Sequence, residues 1–501
     1  MLANKKNQLN QRGEMLMMAL VFTALFTVTA MGIASVIAAQ HKLGIKKINW
    51  QKALAAAEAG VNYYRWHLAH APEDYQDGTG QPGPYIHDYK DNLGNTIGHF
   101  SLDIISTDES CSNTATIEST GWVNDDSNIK RKVRVKYGKS SLASFAFLTN
   151  ANAWFGENET LHGPVHSNWG IRMDGYNDSL TTSNQPTYIC GPEHGCTQAN
   201  CNILGHGCLW INGQGCSCPG VWGEGGDQSL WVYPYDNIDF NAITTDIRNL
   251  ADKAKTVVCA PATDCYWSQR GLGYHIIFKN NGTFDVYRVK QLENPVWGYD
   301  GDDWVRDTDD IKNEEFEGNY ALPASCGIIF VEDDVWVEGV INGSVTLASA
   351  KFPVSSNKSK IIINGNLVYN QKNSTNSLGL VSQTNIVIPL YEADDNIEID
   401  AVLLAQKGRV FRKHYCYGND CSHPVPANAK GYISRENITI YGSIISNDIW
   451  TWSWVDDEGN PISGYENTNA VYDPNLAYNP PPDFPATGDP KLIKWEEVTE
   501  N

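Results

Sequence analysis

Charge is scarce in this chain of 501 residues: 19% of it is Asp, Glu, Lys or Arg, and the 37 basic groups are outnumbered by 58 acidic ones, for a net charge of −21. So negative a protein repels phosphate backbones and anionic surfaces, which excludes nucleic acid as a partner. HExxH, the P-loop and a GxGxxG following a strand are missing as well, so the usual signatures of zinc hydrolysis, phosphate cradling and dinucleotide binding have no place to sit. No two cysteines stand at the C-x2-C spacing of structural zinc knuckles. What the chain does have is 42% apolar residues with 16 Trp and 24 Tyr, too rich in aromatics for disorder, and length enough for two or three folding units.

The basic groups that exist are concentrated at one end. Residues 1–52 carry seven of them against one acid, and the remainder carries 30 against 57. Within that end, Met15 to Ala39 is a run of 25 uncharged residues. As a helix it would be about 37 Å long, enough for a hydrocarbon core of about 30 Å. Lys5, Lys6 and Arg12 precede it, so the positive-inside rule leaves the amino terminus in the cytoplasm and the bulk outside, as a single-pass membrane protein. A secretory signal would have an apolar region of only about 7–15 residues. Here the helical pattern continues instead. Leu43, Ile45, Ile48, Ala55, Ala56, Ala59, Tyr63 and Trp66 recur at three- and four-residue spacing until Pro72 and the glycines after it. One helix over 14–70 is expected, greasy in its first half and amphipathic in its second.

These residues resemble the type IV pilins and pseudopilins, most closely the minor pilins of the PilX kind. The resemblance rests on a basic leader over 1–13, Gly13 directly before the apolar run, the long first helix and the run AAAEAGVNYYRW from Ala55 to Trp66. It covers roughly the first 140 residues. It implies cleavage by a prepilin peptidase between Gly13 and Glu14, other pilin subunits as partners of the helix, and no cofactor. Shaft pilins usually have a glutamate at the fifth mature position, where this chain has Met18. The resemblance therefore implies a minor subunit rather than the shaft.

Over 71–140, period-two patterns predict an antiparallel sheet on the projecting half of the helix. In Ile129 to Tyr137, Arg131, Val133 and Val135 share one face, while Lys130, Lys132, Arg134 and Lys136 share the other. A solvated strand face is the simplest reading of that basic stripe. Residues 141–501 change texture. GPVHSN at Gly163, GVINGSVTLAS at Gly339, INGNLVYN at Ile363 and IYGSIISN at Ile440 form a loose repeat without crossover helices. The expected fold class is α+β and mostly β: helix, pilin-like sheet, then a large β-solenoid, with a β-sandwich as its alternative.

All 12 cysteines follow the apolar run, and an even count there favours disulfides. Cys259 with Cys265 and Cys416 with Cys421 are local loop closures. Cys190, Cys196, Cys201, Cys208, Cys216 and Cys218 staple an insert over 190–218, in any of about fifteen pairings. His194 and His206, each just before a Gly-Cys pair, make zinc the competing reading for that insert. Asp300, Asp302 and Asp303 lead an acidic loop that is a candidate for calcium without an EF-hand pattern. His166 and Ser167 adjoin as base and nucleophile would, but no orienting third group is assignable. The expected role is structural and adhesive rather than enzymatic, with surface glycans as candidate ligands. The alternative is a membrane-anchored protein that binds or cleaves polysaccharide.

Overall fold

The computed structural model describes residues 4–107, 111–157, 159–323, 326–391, 395–419, 421–456 and 459–498. Positions 1–3 of the leader lie outside them. The chain divides into two compact units, one of residues 4–105, 116–137 and 494–498, the other of 111–115 and 138–493 with the neighbouring 106–107.

In the first unit, helix α1 (Asn4–His70) runs for 67 residues, about 100 Å at about 1.5 Å per residue. It begins within the leader and not at Glu14. Past its end, Asp74 accepts from the backbone N–H of Gln76 (2.9 Å) and Gly78 (2.7 Å), with its carboxylate 3.0 Å from His67 Nε2. The chain then forms β1 (Tyr85–Lys90), β2 (Thr96–Ile105), β3 (Thr114–Val123) and β4 (Asp126–Ser141), with β1–β2 and β2–β3 antiparallel, and the C-terminal strand Ala486–Val498 as the fifth member of the sheet.

The face of α1 that packs on this sheet differs from the one its large apolar residues predict. Ala53, Ala56, Ala57, Val61, Tyr64 and Leu68 are buried at the three- and four-residue spacing, whereas Leu43, Ile45, Ile48 and Trp66 are 65%, 47%, 53% and 60% exposed. Close approach selects small residues. A Cβ on Gly121 of β3 would lie 2.9 Å from the carbonyl carbon of Ala56 and closer still to Ala57 N and Ala53 O, so strand and helix backbones nearly touch.

The second unit is a three-faced solenoid whose rungs pair in parallel, so the sandwich alternative is excluded. On its first face one register column reads Tyr266, Phe330, Ala348, Val381, Leu404, Ile445, Leu148, His166, Thr182, Val232. That spatial order is not the order of the sequence. The chain enters at mid-stack with Phe147–Thr149, builds outward to Trp231–Val232, and restarts at the far end with Tyr266–Trp267. It then winds back until Ile444–Ser446 closes against Phe147–Thr149. Between the two runs lies helix α2 (Ile243–Ala254), contrary to the expectation of a β domain without crossover helices. Its buried Ile243, Ile247, Leu250, Ala251 and Ala254 cover the outward column of the first face. The interior is one buried cluster in which Ile329, Leu347, Leu380, Leu403 and Ile444 stack along the first face, with aromatic rings such as Phe278, Phe284 and Trp452 elsewhere in it.

Candidate functional site

Every residue of α1 from Gly13 to Ile48 is exposed, including Met15 (75%), Phe22 (68%), Phe26 (73%) and Met31 (72%). From Met15 to Ala39 that surface is apolar all round, and it has no stable existence in water, since burying each large side chain is worth about 1.5–3 kcal/mol. The run contains four hydroxyl residues. Each of them donates back to the helix's own carbonyls: Thr23 to Ala19 (2.6 Å), Thr27 to Thr23 (2.9 Å), Thr29 to Leu25 (2.9 Å) and Ser35 to Gly32 (2.8 Å). In hydrocarbon every polar group must find its partner within the segment, and here each does. This is one helix long and apolar enough to cross a membrane.

Around this rod the other candidates fall into place. Gly13 is open, with nothing within 4 Å of where a side chain would begin, and Glu14 follows it on the same continuous helix. Further along, Leu43, Ile45, Ile48 and Trp50 (46%) extend the exposed apolar surface past the 25-residue run.

The basic stripe of β4 is spent on structure. Arg134 Nε donates to Glu118 at 2.7 Å and its Nη1 to Glu496 at 3.3 Å, and Lys132 lies 3.3 Å from Glu118. Burial pushes the Glu118 carboxyl up, but these two cations more than offset it and hold its pKa below the usual range. Buried Arg131 pairs with Glu497 and lies 3.3 Å over the Trp50 ring.

In the insert, the six cysteines pair as Cys190–Cys196, Cys201–Cys216 and Cys208–Cys218, which leaves no thiolate for zinc. They are buried together with Tyr188 and Trp222, so the sulfurs themselves form the insert's core. Cys259–Cys265 and Cys416–Cys421 close local loops. The sixth bridge, Cys111–Cys326, spans 215 residues, and nothing in local spacing announces it.

The acidic loop does not gather oxygens around a point. Asp300 accepts the backbone N–H groups of Asp302 (3.0 Å) and Asp303 (2.9 Å), while Asp302 reaches Arg409 at 2.9 Å. Further on, Asp307 pairs with Lys413, and buried Asp309 sits between Lys360 and Lys413. The run's charge thus goes largely to neighbouring cations and turns.

His166 and Ser167 are likewise absorbed by the rung. The His166 ring contacts Thr182 Oγ1 (2.8 Å) and Asn168 Oδ1 (3.1 Å), and burial lowers its pKa to about 4. Ser167 donates to Ala151 O at 2.7 Å. Base and nucleophile are therefore not joined.

No family model matches the chain, and no curated protein matches it. Among solved structures, the competence-associated pilin ComZ from Thermus thermophilus aligns at 15% identity over 90% of this chain and 98% of that one, with a TM-score of 0.24. A superposition of that quality carries no argument about fold or function.

Proposed function

We propose that this protein is a minor pilin-like subunit, held in the membrane by Met15–Ala39 before assembly and displaying its solenoid outside. The observation that carries the reading is the rod itself: 36 consecutive exposed residues, Gly13 to Ile48, apolar all round through Ala39, whose hydroxyls are satisfied within the helix. Such a surface is stable in lipid, and it can also be buried among neighbouring helices of a filament, because both environments remove apolar area from water. Assembly then exchanges one apolar surrounding for another. Leu43, Ile45, Ile48 and Trp50 lengthen the contact available to a neighbouring helix beyond the membrane. Met18 in place of a buried carboxylate leaves no charge at that point to be compensated, which suits an occasional subunit rather than the repeating shaft.

On this reading the basic leader is cytoplasmic, a prepilin peptidase cuts between Gly13 and Glu14, and the solenoid contributes architecture or adhesion rather than catalysis. Mass spectrometry of the mature amino terminus tests it, with and without a co-expressed prepilin peptidase. A terminus at Glu14 only when the peptidase is present supports the reading. An intact amino terminus in both samples contradicts it and leaves a plain signal-anchored protein.

A further inference from the structure

One cleft of the solenoid unit, of about 1180 Å³, is larger than the roughly 300–1,000 Å³ that encloses a drug-sized ligand. It lies among the hairpin formed by Val296–Tyr299 and Trp304–Asp307, the rung corners at Glu338 and Asn364, and the segment from Pro424 to Tyr432. Its aromatic rings are fixed in place. Half-buried Trp297 stacks on His423 with centroids 4.5 Å apart, and Tyr391 meets Tyr432 edge to face at 5.0 Å. The Tyr391 backbone N–H donates to buried Asp310 at 2.7 Å.

The polar groups of this cleft are of two kinds. Its carboxylates are already occupied: Glu338 faces His275 Nε2 at 3.2 Å, Glu293 faces Lys312 at 3.7 Å, and Asp310 holds the Tyr391 amide. By contrast, Arg306, which stands directly across the hairpin from Trp297, and the amides of Asn364 and Asn428 have no partner among the described residues. Planar donors and acceptors left free beside fixed ring faces match a ligand that offers hydroxyls at its edges and C–H groups on its faces. The carboxylates of the cleft bring their own partners, so Arg306 is its one unpaired charge, and it is the net charge of −21 of the whole protein that disfavours an anionic polymer.

We propose that this cleft binds a neutral oligosaccharide, with a sugar ring on Trp297 and hydroxyls held by Arg306, Asn364 and Asn428. The site deepens the display reading above, but its chemistry does not depend on how the amino terminus is processed. Full-length protein in detergent, titrated calorimetrically with cello-, chito-, malto- and laminari-hexaose and with oligogalacturonate, tests the proposal. Saturable binding of at least one neutral hexaose is expected, weakened at least tenfold by Trp297→Ala and by Arg306→Ala, and unchanged by Trp169→Ala on another part of the surface. Asn364→Ala provides a variant that leaves the aromatic stacking intact, and it too must weaken binding. The proposal is overturned if no neutral hexaose binds, if only oligogalacturonate binds, or if Arg306→Ala and Asn364→Ala bind as well as the parent. Because the titration is done on uncleaved protein, its failure is separable from failure of the pilin reading.

Discussion

Replacing Gly121 by alanine probes the contact that holds α1 to its sheet. The added Cβ would sit 2.9 Å from the Ala56 carbonyl carbon, with Ala57 N and Ala53 O nearer still. All three are helix backbone atoms, so no side chain can rotate away, and the strand or the rod must shift. Overpacking of this kind costs about 1–3 kcal/mol where side chains can yield. With only backbone to yield, the upper end, about 3 kcal/mol, is expected. For a unit of this size that lowers Tm by more than about 10 °C. Hydrogen exchange in detergent reads the effect locally: amides from Ala53 to Leu68 should lose protection while the rungs of the solenoid keep theirs. Gly44→Ala is the control, since nothing lies within 4 Å of its would-be Cβ, and it should be neutral or stabilise the helix by up to about 1 kcal/mol. Unchanged protection at Ala53–Leu68 in Gly121→Ala would refute the close-packed seam.

Acid should weaken the solenoid through His166, whose folded pKa of about 4 lies below its unfolded value of about 6.5. That stability is present above pH 6.5 and is lost as pH falls toward 4, because the unfolded chain takes up the proton first. About 2–3 kcal/mol should disappear between pH 7 and 4.5. Denaturant titrations at the two pH values should show a smaller loss in His166→Gln. Removing the Cys201–Cys216 bridge as a double serine variant opens a loop of 15 residues and should cost the insert about 3 kcal/mol. Limited proteolysis should then cut within 190–218 and leave the rungs intact. Truncating Glu497 to alanine removes the carboxylate beside buried Arg131 and should destabilise the first unit by about 2–4 kcal/mol, measured by chemical denaturation.

The rod and the solenoid were legible because each repeats a pattern along the chain. The uncharged run, the alternation in β4 and the Gly-marked rungs need only local periodicity. The packing face of α1 cannot be picked out by its large residues, since Leu43 and Ile48 of the recurring pattern are exposed. The true seam is made of Ala53, Ala56, Ala57 and Gly121, whose value lies in what they lack. Glu496, a partner of the basic stripe, and Glu497, the partner of Arg131 on the other face, arrive from the far end of the chain, and Cys326 stands 215 residues from Cys111. Long-range pairing leaves no spacing to read. Rung order was hidden for the same reason: Ile444 and Phe147 are neighbours because the chain enters at mid-stack, and the segment from Ile238 through α2 hides inside a region that otherwise reads as strands. The cleft draws on residues spread from Glu293 to Tyr432, so no motif could announce it.

Nitroxide scanning tests the rod most directly. Labels would be placed one at a time from Met15 to Leu68 in full-length protein embedded in nanodiscs, and collision with oxygen compared with collision with a water-soluble nickel complex. The account predicts oxygen access that peaks near Phe26 and falls toward Met15 and Ala39. Beyond Ile48 the labels should turn immobile at positions 53, 56, 57, 61, 64 and 68 in one unbroken helical phase. Uniform access to the nickel complex over 15–39, or a break in phase between 40 and 48, would contradict it.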